Sequence, residues 1–164
     1  MKKKICMLGS FAVGKTSLIR RFVHSIFSDT YLTTIGVKID KKTVMVGDRQ
    51  VDLMLWDIHG EDEFNEVRPS YFHGASGYFL VVDGTRRDTL DTAFLLHHRM
   101  VATMGHLPCL LIINKSDLSG EWEVGPEDID ELSAQGWHVV LASAKTGAGV
   151  EEAFLDLARR MVSP

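Results

Sequence analysis

Apolar residues gather in five runs of strand length: KICMLG at 4–9, VDLMLWD at 51–57, GYFLVVD at 77–83, CLLIIN at 109–114 and HVVLAS at 138–143. Four of them are nearly continuous rather than alternating, the pattern of strands covered on both faces. Segments with a helical period lie between and after them, at 14–27, 88–104, 126–136 and 149–162. Strand and helix taking turns predicts a doubly wound α/β sheet with helices on both faces. One pair departs from the alternation. GVKIDKKTVMV and RQVDLMLWD flank Gly47-Asp48, which reads as a β-hairpin and adds an antiparallel edge strand. The expectation is a six-stranded, mostly parallel sheet with about five helices. With no internal repeat, low-complexity tract or linker, residues 1–164 read as one domain.

Composition narrows the classes of function. Hydrophobic residues at 45% and charged residues at 24% belong to an ordered globular chain. A net charge of −4 provides no broad positive field, so nucleic acid is not an expected partner. Lys2-Lys3-Lys4 is the local exception, read as a solvated lead into the first strand because three lysines fall short of a polybasic patch. No apolar stretch is long enough to span a bilayer and no signal peptide opens the chain, so the reading is cytoplasmic. The chain begins Met-Lys and ends RRMVSP without a terminal cysteine. Neither pattern is a lipidation signal, so membrane association is not supported unless a tail has been removed. Cys6 and Cys109 sit in apolar runs and read as reduced, small hydrophobes. The seven histidines show no zinc-ligand spacing. His97 and His98, about 100° apart around a helix, read as surface or boundary residues.

The chemistry begins at GSFAVGKTS, residues 9–17. Gly9, four residues, then Gly14-Lys15-Thr16, placed between a strand and a helix, is the pattern of a phosphate-cradling loop. Such a loop, through Phe11, Ala12, Val13 and Ser17, offers converging N–H groups and the positive end of a helix; Lys15 adds an ammonium and Thr16 a hydroxyl for Mg²⁺. NKSD at 114–117 ends an apolar strand, where ligands bind in such sheets. Asp117 can accept from both the N1–H and the 2-amino group of guanine. Adenine offers neither donor there and would strand the carboxylate, at a cost of roughly several kcal/mol. Asn114 and Lys115 flank that reading. Ser143-Ala144-Lys145, after the last strand, can supply a backbone donor to guanine O6. Asn114-Lys115-Ser116 also matches a glycosylation acceptor, which is discounted for a chain with no secretory signal. In WDIHG, Asp57 is placed to hold Mg²⁺ directly or through water, and Gly60 to present its N–H to a γ-phosphate.

These motifs, in this order and spacing, resemble the Ras superfamily of small GTPases over residues 3–162. YLTTIGVKI, LWDIHGEDEF and SYFHGASGYFLVVDGT resemble the Rab branch most. The resemblance implies the small G-domain form of the P-loop NTPase fold, a monomer that binds GTP and GDP with Mg²⁺. It implies that Thr34 joins Thr16 and Asp57 at the metal, that Tyr31 closes over the phosphates, and that Phe27 lies against the guanine ring. Segments 28–38 and 58–73 would be the two switches, read by effectors, exchange factors and activating proteins. Lys15, Gly60 and Glu61 would form the catalytic set.

Four positions depart from the family pattern. Residue 11 is commonly glycine or another small residue, and Ala12 also replaces a common glycine. A ring at Phe11, projecting toward the γ-phosphate, would obstruct an arginine supplied in trans. Residue 61 is usually glutamine; Glu61 has no donor when ionised and adds negative charge beside the triphosphate. The departures at Phe11 and Glu61 predict slow hydrolysis. His59, where alanine is usual, reads as a switch-loop surface residue or an aid to local rearrangement. Glu61-Asp62-Glu63 reads as a solvated turn, with a partner-binding patch as the alternative. The competing reading is a GTP-locked scaffold that recruits partners without meaningful hydrolysis. A P-loop kinase of small molecules, which needs an adenine site, is set aside by NKSD.

Overall fold

GYFLVVD has no polar residue before its end, and β4 (Gly77–Asp83) accordingly has every position buried. A strand so enclosed must lie at the centre of a sheet with both faces covered. In the computed structural model, which describes residues 1–24, 37–58 and 67–163, β4 lies between β1 (Lys2–Gly9) and β5 (Cys109–Asn114). The hairpin strands β2 (Val37–Val46) and β3 (Arg49–Ile58) and the short β6 (Val139–Leu141) complete the sheet in the order β2-β3-β1-β4-β5-β6. All neighbours run parallel except β2 and β3. The six-stranded, mostly parallel sheet read from the apolar runs is the one formed. Gly47 has φ +64° at the hairpin turn, the left-handed conformation that a two-residue turn with glycine first requires.

Alternation along each strand sends successive side chains to opposite faces. Ile5, Met7, Phe79, Val81, Leu110 and Ile112 point to one side, where helices α1 (Lys15–His24) and α4 (Val150–Val162) cover them. Cys6, Leu8, Leu80, Val82, Leu111 and Ile113 point to the other, against α2 (Asp88–Met104) and α3 (Pro126–Ala134). Short 3-10 turns at Pro69–Phe72 and Ser116–Glu121 join the elements. On the first face Phe154 of α4 stacks on Phe22 of α1, with ring centroids 4.1 Å apart, and meets Phe79 edge-on at 4.9 Å.

Three local readings change. The lysine run is part of β1 and not a lead into it, since pairing with β3 starts at Lys2, which is itself exposed. Lys4 is half-buried, donates from Nζ to the carbonyls of Tyr71 and His73 at 2.7 Å each, and sits 3.5 Å from the centre of the Trp56 ring. Burial lowers its pKa from the ordinary lysine value. The strand expected at 138–143 is only three residues long. Ser143 N–H turns away from the sheet to the carbonyl of Ala148, and Gly147 N–H returns to that of Ser143. Standing at the sheet edge, β6 is also not enclosed on both faces, and Leu141 is exposed. His97 is a boundary residue, with Nδ1 2.7 Å from the Tyr78 hydroxyl and its ring edge-on to Trp137. Cys6 and Cys109 are free thiols pushed up to about 12 by burial.

The aromatic contact between α1, α4 and β4 predicts where stability resides. Phe154→Ala is expected to cost about 3–5 kcal/mol, whereas Leu141→Ala at the exposed edge should change stability by less than about 0.5 kcal/mol. Urea unfolding midpoints at constant m-value check both.

Candidate nucleotide-binding site

β1, β4 and β5 end at one edge of the sheet because they are parallel and in register, with Gly9 opposite Val81 and Asp83 opposite Asn114. The loop after β1 is shaped by positions where a side chain does not fit. A Cβ on Gly9 would lie 2.6 Å from the Val81 carbonyl oxygen, and one on Gly14 would lie 2.2 Å from Asn114 Nδ2. Gly14 also has φ +104°, a conformation open mainly to glycine. Ala12 adopts φ +61° despite its methyl group, so the common glycine that it replaces has a local backbone reason. A left-handed residue of this kind costs roughly 1–2 kcal/mol.

Lys15 opens α1 but folds back over the loop, with Nζ 3.2 Å from the Gly9 carbonyl oxygen and 3.3 Å from that of Ser10. Its ammonium is buried, and burial pulls its pKa down to about 8, with Asp57 opposing the shift and Arg86 adding to it. Thr16 donates from Oγ1 to Asp57 Oδ2 at 2.5 Å, bringing the end of β3 to the start of α1. A hydroxyl beside a buried carboxylate is a hard-oxygen donor set of the kind Mg²⁺ takes. Val13 is buried and Ser17 half-buried on the same stretch.

Asn114 is buried at the end of β5. Its Nδ2 donates to the Val13 carbonyl at 3.0 Å, and its Oδ1 accepts from Ala144 N–H at 3.3 Å. One carboxamide thus ties the phosphate-type loop to the loop after β6. Lys115 has φ +73° and directs Nζ to Asp83 Oδ2 at 2.6 Å. Trp122 holds the Lys115 carbonyl through Nε1 at 2.8 Å. Asp117 is exposed, and its Oδ1 accepts from Ser143 Oγ at 2.7 Å. Ser143 Oγ in turn accepts from Thr146 N–H, while Lys145 is exposed. The two groups of sequence-predicted residues, 9–17 with Asp57 and 114–117 with 143–145, therefore meet at one sheet edge. Phe27, Tyr31, Thr34, His59, Gly60 and Glu61 lie outside the described residues, as does most of the two predicted switch segments.

Sequence reasoning missed Asp83 and Arg86. Asp83 closes the most buried strand and is 1% exposed, yet accepts from Lys115, Thr85 and Arg86. Burial pushes its carboxyl up, but the hydrogen bonds from Lys115 and Thr85 outweigh this and hold it below the usual carboxylate range. An acidic residue ending an otherwise apolar strand, beside two known motifs, was the available signal.

The model of the Ras family matches residues 4–163. The chain belongs to the Ras family. Among its relatives, Ras-related protein Rab-21 of Mus musculus and that of Homo sapiens are each 33% identical over 164 residues, covering 97% of this chain and 72% of theirs. Ras-related protein Rab-4A of Rattus norvegicus is 35% identical over 163 residues, covering 98% of this chain and 74% of its own. The Rab-like resemblance in the switch and β4 sequences agrees with these relatives. As a Rab-like member of the Ras superfamily, the chain is a GTP-binding GTPase of the switch type. Proteins of this superfamily bind GTP or GDP, generally with Mg²⁺, and engage effectors and regulators.

The buried ammonium has a consequence for stability. A lysine with a folded-state pKa near 8 destabilises the nucleotide-free fold while charged, and that cost fades as pH rises from about 8 to the unfolded value near 10.4. Lys15→Met is therefore expected to stabilise the nucleotide-free protein by about 1–3 kcal/mol at pH 7. Unfolding of both proteins at pH 7 and pH 10 checks this; the advantage should shrink at the higher pH.

Proposed function

We propose that this chain binds GTP and GDP with Mg²⁺ as a cytosolic, monomeric switch whose hydrolysis step is slow. The observation that supports the reading is the Asn114 bridge, which ties the loop after β1 to the loop after β6. In this reading the N–H groups of Phe11 to Ser17 and the Lys15 ammonium hold the phosphates, with Gly9 allowing the close approach. Asp117 receives guanine N1–H and the 2-amino group. Its bond from Ser143 leaves acceptor capacity for both, since each carboxylate oxygen carries two lone pairs. Ala144 and Lys145 would border the base, and by the family resemblance Phe27, outside the described residues, would be the residue for the guanine ring. Thr16, Asp57 and Thr34 are the residues that would hold Mg²⁺, which when bound neutralises charge on the phosphate oxygens. By the same resemblance Tyr31 and Gly60, also outside the described residues, would be the residues that serve the phosphates.

For hydrolysis, a water must be oriented toward the γ-phosphorus. Ionised Glu61 can accept from that water but cannot donate to the phosphate, and its charge opposes the approach. Phe11 occupies the position from which an incoming arginine would be excluded, a contribution of about 10³ to 10⁵ in rate where Ras-superfamily proteins use one. Regulators that act here must work without an arginine beside Phe11. Effectors and regulators are assigned to residues 28–38 and 58–73.

The same two residues also support a second reading, a GTP-locked scaffold. Nucleotide recovered from the purified protein separates them: GDP supports the cycling enzyme, and GTP persisting for many hours supports the scaffold. Titration with fluorescent GDP, GTP and ATP is expected to show uptake of the guanine nucleotides alone; equal uptake of ATP removes the guanine assignment. In single-turnover assays Phe11→Gly and Glu61→Gln are each expected to hydrolyse GTP faster than the parent. If both were slower, Phe11 would not be an obstruction and Glu61 would be serving as a base.

A further inference from the structure

Beyond the residues that face the nucleotide, one buried carboxylate organises the loop from behind. Asp83 Oδ2 accepts from Lys115 Nζ at 2.6 Å and from Arg86 Nε at 3.1 Å, while Oδ1 accepts from Thr85 N–H and Oγ1 at 2.9 and 2.7 Å. Each of the two cations continues to a carbonyl of the phosphate-type loop. Arg86 Nη2 donates to Phe11 O at 2.8 Å, and Lys115 Nζ lies 3.5 Å from Ala12 O. These are the two atypical positions of the loop, and Ala12 is the one with φ +61°.

We propose that Asp83 and Arg86 are positioning residues for the nucleotide, holding the Phe11–Ala12 turn so that its amides face the phosphates. The proposal rests on the nucleotide reading above. A trans peptide is planar, and its C=O points opposite to the N–H of the following residue. Pinning the Phe11 carbonyl therefore aims the Ala12 N–H the other way, and pinning the Ala12 carbonyl does the same for Val13. Without such restraint, a non-glycine residue in the left-handed region relaxes toward lower-energy backbone.

Arg86 is itself held in place. Its N–H donates to the Asp83 carbonyl at 2.9 Å, and its own carbonyl accepts from Thr89 Oγ1 at 2.6 Å. Thr89 Oγ1 also accepts from Asp83 N–H at 3.0 Å, closing the segment into a compact knot. From that base the planar guanidinium reaches carboxylate and carbonyl at once through two N–H groups of fixed geometry. A lysine ammonium on a flexible stem has no matching fork. The Arg86 side chain is 40% exposed, so its role is one of directed hydrogen bonds more than of net charge.

The test compares Arg86→Ala and Arg86→Lys with the parent, using release of fluorescent GDP, the ³¹P resonances of bound GDP, and urea unfolding. Arg86→Ala is expected to release GDP about tenfold faster, the worth of one hydrogen bond from a charged donor, and to shift the phosphate resonances. Arg86→Lys should recover only part of both changes. Unaltered release and resonances in Arg86→Ala, with the parent binding GDP normally, overturn the positioning role. Full recovery by lysine, or a release rate that changes only as far as global stability does, overturns it as well. A parent protein that takes up no guanine nucleotide would instead remove the underlying reading, and this proposal with it.

Discussion

Three adjacent parallel strands whose carboxyl ends lie within two residues of one another are the constraint on which everything else depends. Parallel strands cannot be joined by tight turns, so each must leave the sheet through a loop at its carboxyl end and return through a helix. Because β1, β4 and β5 are adjacent and in register, their loops begin side by side. The phosphate-type loop, the Asp83 turn and the NKSD segment are those three loops. Their closeness follows from strand order and not from any attraction between the motifs.

That arrangement gathers charge where little water reaches. Lys15 is buried and Asp83 almost fully so. An uncompensated buried charge is strongly destabilising, and each is matched: Asp83 by Lys115 and Arg86, Lys15 by carbonyl oxygens and the field of Asp57. The matching is unequal. Asp83 is held below its ordinary carboxylate range, a net gain for the folded state at neutral pH, whereas Lys15 is pulled down to about 8, a net cost. That net cost at Lys15 is set against the aromatic and aliphatic contacts on the two faces of the sheet.

Much of the molecule was legible before the structure. The apolar runs at 77–83 and 109–114 marked the enclosed centre of the sheet, and Gly47-Asp48 marked the hairpin. The motifs at 9–17 and 114–117 carried the family. Lys4 was not legible, since its burial comes from the β1–β3 register and from carbonyls of residues 71 and 73. Nor was the brevity of β6, which the loop bonds of Ser143 decide.

Spacing along the chain determined the alternation of strand and helix, the phosphate-type loop and the guanine motif, because each depends on neighbours within a few residues. The tertiary structure alone decided that Asn114 joins two loops, that Asp83 stands behind Phe11 and Ala12, and that Arg86 spans the gap between them. Apart from the local Arg86–Asp83 pair, those contacts link residues separated by 30 to 103 positions. They exist only after the parallel strands have paired, and no local periodicity records which strand ends will come to rest beside one another.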